Sequence, residues 1–539
     1  MKKLYIALTA LTLTVASCSD SYLDETPYSS YTSDAITDQL GINASIVGIQ
    51  NSFSNIYTKS DRQGWLSVWQ VGTDVASAGG YESIEVPYYN YEKLTASDLG
   101  ASSIWSLCYK VINNTNILID NLEQNELPSV TTENKNKALG EAKFFRAYCY
   151  NMLATLFGDI PLQEHAVSSA KTDYTRTPIA QVNEFIVNDL AFGSQNLPDI
   201  DDVASNSGGK MYSRANKYMA MQLLGEVYIR MNEGAKAEAV LKQIISSNKF
   251  SLTKARYGKD IAKDGDYYHD MFIYGNQRRG QGNKETIWTF ELENPSSVTG
   301  GYTGAPQHRR VWGAAYHNVK GMVLCDSLGG RGLGRLRLSS WLTKSLYKDG
   351  DIRNSKYNIH RDFYYNDPAN ANFGKKIPFQ GADTLYWICP STTKWYCFDE
   401  KDTYGWSSIK DWQMMRFGET YLLLAEAQLL QSHLDDAAAS INELRKRAFV
   451  NYPLQGQVSA SDITLDFILD ERARELIGEE NRRMTLMRTK TLVNRAKLNH
   501  DQKYPITGLS DTHLLLPIPL SEIQLNKDGV LDQNPGYTN

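Results

Sequence analysis

Apolar residues recur at intervals of three and four through much of the first half of the chain, the mark of helices that bury one face. In "EAKFFRAYCYNMLATLF", Ala142, Phe145, Cys149, Met152 and Leu156 share such a face. That helix is predicted to stop at "FGDIPL", where Gly158 and Pro161 break it. "YKVINNTNILIDNL" (109–122) and "IAQVNEFIVNDLAF" read as further helices. Two distant segments share a finer pattern. "LLGEVYIRMNEGAKAEAVLKQII" places Leu224-Gly225 thirteen residues before Ala237, with Leu241 and Ile244 following. "LLAEAQLLQSHLDDAAASINEL" places Leu424-Ala425 thirteen before Ala437, with Ile441 and Leu444 following. Small residues let two helices of a hairpin approach and larger apolar ones fill the seam, a spacing similar to the tetratricopeptide repeat. Tyr228 sits where that repeat favours an aromatic; Gln428 departs from it.

Between 250 and 410 the helical period fades and Gly, Asn, Tyr and Trp become dense. Only "ETIWTFELE" alternates well enough for a strand. The expected class is therefore mainly α: a scaffold of tetratricopeptide-like helical hairpins with a loop-rich insertion carrying a few short strands. The division predicted is 1–17 leader, 18–25 tether, 26–250 N-terminal helical region, 251–410 insertion and 411–539 C-terminal helical region. Loops on a rigid scaffold are the usual places for binding residues.

The first apolar run is of another kind. Lys2 and Lys3 precede about a dozen mostly apolar residues, Leu4 to Val15, then Ala16-Ser17. Spanning a bilayer needs roughly twenty. Val15-Ala16-Ser17-Cys18 resembles a bacterial lipobox, which would make Cys18 a lipidation site and the first residue of the mature chain. "SDSYLDE" after it resembles the acidic segment of surface-displayed lipoproteins.

Charge narrows the partners. The chain carries a net charge of −5, and without residues 1–17 it has 54 basic against 61 acidic residues, a net of −7. That balance argues against nucleic acid. The 33 tyrosines and 10 tryptophans suit contact surfaces that stay wet, because each ring pairs a flat apolar face with a polar tip. Five cysteines follow Cys18, without a CxxC. Cys389 and Cys397 bracket "CPSTTKWYC" and either close a small loop or remain as two buried thiols.

The order of several motifs resembles SusD-like (RagB/SusD) proteins. These are the lipobox, "YKVINNTNILID", "GEAKFFRAYCYNMLATLFGDIPL", "RFGETYLLLAEAQLL" with "AAASINELRKRA", "ILDERARELIGEENRRMTLMR" and "LPIPLSEIQLNKDGVLDQNPGY". The resemblance implies an outer-membrane surface lipoprotein without enzymatic activity or cofactor. It also implies capture of an oligosaccharide, or in some relatives a peptide, for a SusC-like TonB-dependent transporter. Asp74 in "GTDVAS" matches a ligand-contacting position of the family, with Trp65, Trp69, Tyr81, Tyr88 and Tyr89 as nearby aromatics. In "QHRRVWGAAYHN", Trp312 and Tyr316 would lie one turn apart on a helix, with Arg310 beside them. The resemblance favours an aromatic in this part of the insertion stacking on ligand.

Other chemistries have weaker support. "LGGRGLGRLRL" lacks the Gly-Lys-Ser/Thr ending of a phosphate loop and is expected to be a mobile loop. Its Arg331, Arg335 and Arg337 could meet an acidic sugar or pair locally. "ERARELIGEENRR" spaces Glu471, Glu475 and Glu479 by four, the pattern of a salt-bridged helix face. A glycoside hydrolase needs two carboxylates at a controlled separation, and no motif singles out such a pair. HExxH is absent and the closest histidines, His308 and His317, are nine apart. A third class, a scaffold that binds peptide in its repeat helices, shares the expectation of a protein partner.

Overall fold

The computed structural model describes residues 36–59, 65–79, 84–203, 214–295, 298–299, 301–302, 304–379, 381 and 385–538. The leader, Cys18, the acidic tether and Tyr81 lie outside the described residues.

The N-terminal half is built from long capped helices: α1 (Gln39–Thr58), α2 (Leu99–Gln124), α3 (Thr132–Phe157) and α4 (Ile179–Asn196). Asp38, Asp98 and Thr131 cap the first three by accepting from amide groups of the first turn, which leaves fewer orphan donors. The predicted face of α3 is fully inside, but so is every residue from Phe144 to Phe157 except the half-buried Tyr148. This helix is surrounded by α1, α2 and α4 rather than laid on a surface. It ends at Gly158, whose φ of 75° reverses the chain.

The two hairpins foreseen from spacing are present. The first is α5 (Lys217–Arg230) with α6 (Gly234–Ser246). After the short α7 (His308–Trp312) in the intervening region, the second is α8 (Phe417–Leu430) with α9 (Leu434–Ala448). A Cβ on Gly225 would stand 2.7 Å from Leu241, so glycine is what lets α5 and α6 close. Although about 170 residues separate them in sequence, the hairpins pack side by side through α6 and α8. Gln428, the departure from the repeat, makes the joint polar. Its Nε2 donates to Glu238 on α6 at 3.1 Å, and its Oε1 accepts from Ser440 at 2.8 Å.

The C-terminal region continues with α10 (Leu465–Leu476), α11 (Arg482–Arg488) and α12 (Leu492–Ala496). On α10 the predicted charged face is an interior one. Glu471 and Glu475 are fully buried, the first bonded to Arg353, Arg445 and Arg474 at 2.7–2.9 Å, the second to Arg353, Arg416 and Arg447. These arginines come from the insertion as well as the hairpins, so the network fastens the two together.

Short strands tie the intervening region to both flanking regions: β1 (Ala76–Ala78) pairs antiparallel with β3 (Leu336–Leu338), and β2 (Thr286–Phe290) with β6 (Trp412–Arg416), while β4 (Ile359–His360) pairs with β5 (Ser391–Thr392) within it. β2 is the strand foreseen in "ETIWTFELE". Cys108, Cys149, Cys325, Cys389 and Cys397 are all free thiols.

Candidate functional site

Four segments meet at the glycine-rich stretch 331–335. Gly79 N donates to Arg335 O at 2.8 Å, Gly334 N to Gly313 O at 2.7 Å, and Leu333 N to Arg310 O at 3.0 Å. Beside them Ala315 N donates to Tyr386 O at 3.0 Å. Side chains would prevent this crossing: a Cβ on Gly79 would fall 1.8 Å from Gly334 O, and one on Gly332 would fall 2.2 Å from Gly313 O. The run is thus an ordered crossing that continues into β3, not the mobile loop expected. Its glycines serve close backbone approach. Arg337 joins it to the C-terminal region through a 2.6 Å ion pair with Asp501.

Aromatic rings flank the crossing. Arg331 donates from Nη1 to Tyr404 O at 2.7 Å, and the Arg310 guanidinium lies 4.6 Å from the centre of the Trp406 ring. Tyr404 and Trp406 are 64% and 59% exposed. Both sit on a loop pinned from α7. Arg309 donates to the carbonyls of Cys397, Gly405 and Ser407, and Gln307 Nε2 donates to Trp406 O at 3.2 Å. Around Tyr386 lie half-buried Trp387, at 5.8 Å between ring centres, and Lys503, 5.6 Å above the Tyr386 ring. Flat rings, ammonium and guanidinium groups on one backbone platform are the groups a polyhydroxylated ligand requires: apolar faces for its C–H surfaces and donors for its hydroxyls.

The residues named from sequence mostly support this platform from beneath. Trp65 is interior, donating from Nε1 to Ile56 O at 2.7 Å and packing edge-on against Trp69. Trp69 and Trp312 both line a cavity of ≈ 130 Å³, as do Trp395 and Trp412. His308 stacks 4.0 Å from Trp395, and burial alone pushes its imidazole down to about 3, so it is neutral. Trp312 and Tyr316 are not one turn apart on a helix. α7 ends at Gly313, and Tyr316 belongs to the next turn, where it is fully buried over Phe363 and accepts from Cys325 N at 3.1 Å. Tyr88 is buried with its hydroxyl on Asp98 at 2.7 Å, and Tyr89 is buried beside Tyr504. Arg310 alone among these reaches the platform with its side chain.

Asp74 is fully buried, and its oxygens accept from Arg482 at 2.9 and 2.6 Å and from Arg495 at 2.9 Å. Burial would raise its pKa, but the two guanidiniums outweigh that and hold it below the ordinary carboxylate range. With both oxygens engaged and no exposed surface, Asp74 ties β1 to α11 and α12. It is not placed to touch a ligand.

Tyr404 and Trp406 were not singled out by sequence. The signal available was "KDTYGWSS", two aromatics set among turn-forming residues where no core periodicity demands them. Among the described residues, Glu238, His433 and Asp436 bring ligand atoms within 4.8 Å of one another, on the hairpins. Glu238 there is already paired to Lys242 at 2.7 Å.

Comparison with known proteins matches two family profiles: one described as "SusD family" over residues 390–537, and one described as "Starch-binding associating with outer membrane" over residues 21–229. A SusD-like protein P2 of Formosa agariphila is 25% identical over 567 aligned positions covering 100% of both chains. A SusD-like protein of Bacteroides ovatus is 26% identical over 503 positions, 88% of this chain and 80% of that one. Among solved structures, surface glycan-binding protein A from Bacteroides thetaiotaomicron, in complex with laminarihexaose, superposes with a TM-score of 0.69 at 20% identity, covering 93% of this chain and 100% of that one. NanU of B. fragilis gives 0.69 at 21%, covering 96% and 100%. No helix among the described residues is long and apolar enough to cross a membrane.

Proposed function

The chain belongs to the SusD-like family, and from that premise we propose that it is a non-enzymatic surface lipoprotein that captures oligosaccharides and delivers them to a SusC-like TonB-dependent transporter. The observation that carries this reading is the pair of exposed rings, Tyr404 and Trp406, held by arginines on a glycine-built platform. Two neighbouring exposed rings with arginines beside them offer the flat apolar faces and polar tips that a saccharide can stack on. Support for capture of sugar in particular comes from the relatives, one of which is solved with laminarihexaose. Anchoring follows from Val15-Ala16-Ser17-Cys18: acyl chains on Cys18 would hold the protein at the outer membrane, since two lipid signals suffice for stable attachment.

The test is calorimetric titration of the chain from Ser19 onward against purified oligosaccharides and peptides, with each mixture checked for cleavage. Saturable heat with intact saccharide, weakened by Trp406→Ala, is the expected result. Cleaved saccharide would make the protein a hydrolase. Heat with peptides and none with sugars would put it with peptide importers.

A further inference from the structure

The loop that carries Tyr404 and Trp406 has a second side. Behind it the intervening region encloses an open cleft of ≈ 1310 Å³, larger than the roughly 300–1,000 Å³ of pockets for single small molecules. Asp402, Ser407 and Ser408 of that loop form one wall. Tyr274 and Tyr364, 44% and 49% exposed, also line the cleft. The sequence motifs touch this place only through Arg309 of "QHRRVWGAAYHN" and Thr393, Tyr396 and Cys397 of "CPSTTKWYC".

Two features mark the cleft as built for a polar guest. Arg309 and Ser408 line it, both are more than nine-tenths buried, and each retains a side-chain atom without a hydrogen-bond partner, Nε and Oγ respectively. Buried donors left unpaired are costly, about 1–3 kcal/mol each, unless something else bonds them. The charges are mixed as well: eight Lys or Arg and six Asp line the cleft of a chain whose net charge is −5. Some of these neutralise one another, as Lys263 and Asp260 do at 3.0 Å, but Arg309 and Arg361 hydrogen-bond only to carbonyls or an amide. Carboxylates that accept from hydroxyls, cations that donate to them and open phenol rings together suit a polyhydroxylated chain.

We propose that this cleft is a second saccharide-binding site, distinct from the platform and separated from it by the loop 397–408. Arg309 belongs to both places, because its Nη groups hold the loop's carbonyls while its Nε faces no partner. A glycan long enough to pass over the loop would engage both sites at once and bind more tightly than either alone. The inference rests on the glycan-capture reading of the platform.

An array of purified neutral and acidic oligosaccharides that includes laminarihexaose would first identify a bound hexamer for the chain from Ser19 onward. Calorimetry with that hexamer should then give two sites per chain. The double variant Tyr274→Ala/Tyr364→Ala, whose changes are exposed, should leave one site and lower affinity for the corresponding polysaccharide about tenfold. Trp406→Ala should weaken the other about tenfold. One site in the parent, indifferent to the double variant and weakened by Trp406→Ala, would overturn the second site and leave glycan capture standing. No binding to any saccharide would overturn both.

Discussion

Arg310 is almost wholly buried, yet its guanidinium lies 4.6 Å from the centre of the largely exposed Trp406 ring. An interior cation therefore props up a surface indole. An arginine under an exposed ring contributes about 0.5–1 kcal/mol. Truncating the ring removes the stacking surface itself, so Trp406→Ala is expected to raise the Kd for a bound oligosaccharide about tenfold, or ~1.4 kcal/mol. Arg310→Ala should raise it only a few-fold, since the ring remains but loses its support. Calorimetry on both variants checks the order.

Asp74→Asn should act on stability and not on binding. Removing one partner of a buried ion pair costs up to about 3–5 kcal/mol; the loss here should fall below that, because Arg482 keeps Glu480 at 3.0 Å and Arg495 keeps Asp470 at 2.6 Å. Urea denaturation should show a lowered midpoint, while the folded fraction binds saccharide with unchanged Kd. A selective loss of affinity at unchanged stability would return Asp74 to the ligand site.

The network around α10 predicts acid lability. Burial opposes ionisation of Glu471, but Arg353, Arg474 and Arg445 prevail and bring it down to about 2; Glu475 is likewise held well below its usual range by Arg447, Arg416 and Arg353. A carboxylate with a depressed folded pKa contributes stability above its unfolded pKa, about 4.3, and loses it as pH falls through the folded value. Denaturation midpoints should hold down to about pH 5 and then drop toward pH 2. Glu471→Gln should start lower and show a shallower drop.

Lys410 predicts a further rise of stability with pH on the alkaline side. Its ammonium is buried, donates to Tyr396 O at 2.8 Å, and is pushed down to about 8 chiefly by burial. The unfolded chain binds that proton up to about pH 10.4, so between pH 8 and 10 the unfolded state holds more protons and stability rises with pH. The gain is on the order of 2 kcal/mol at most. Comparing urea midpoints at pH 7.5 and 9.5 should reveal it; Lys410→Met should remove part of the difference, because burial also pushes Lys394 down to about 8 and its contribution remains.

Gly334 tests the crossing. Its φ is +58°, and an added Cβ would lie 2.3 Å from Tyr386 O. Gly334→Ala is expected to destabilise by more than the ~1 kcal/mol of an ordinary glycine-to-alanine mismatch, and to weaken saccharide binding by displacing Tyr386. A variant with parental melting temperature and parental affinity would show that the crossing has room to spare.

Much of the scaffold was legible in the chain. Helix faces, the stop at Gly158 and both hairpins follow from local spacing, because a helix repeats every 3.6 residues and its neighbours along the sequence are its neighbours in space. The stacking of the two hairpins, the interior position of Glu471 and Glu475, and the burial of Asp74 were not legible, because each depends on partners tens or hundreds of residues away: Glu238, Arg353, Arg482. The same limit governs the site. Composition showed that aromatics were plentiful, but not which ones the fold would cover. Trp65, Trp69 and Trp312 went inside because α7 and the turn at Trp65–Trp69 press together beneath the platform, and Tyr316 because it packs over Phe363 in a separate cluster, whereas Tyr404 and Trp406 stay largely exposed on their loop. Side-chain chemistry sets what a residue could do; which face of it meets water is decided only when distant segments close over one another.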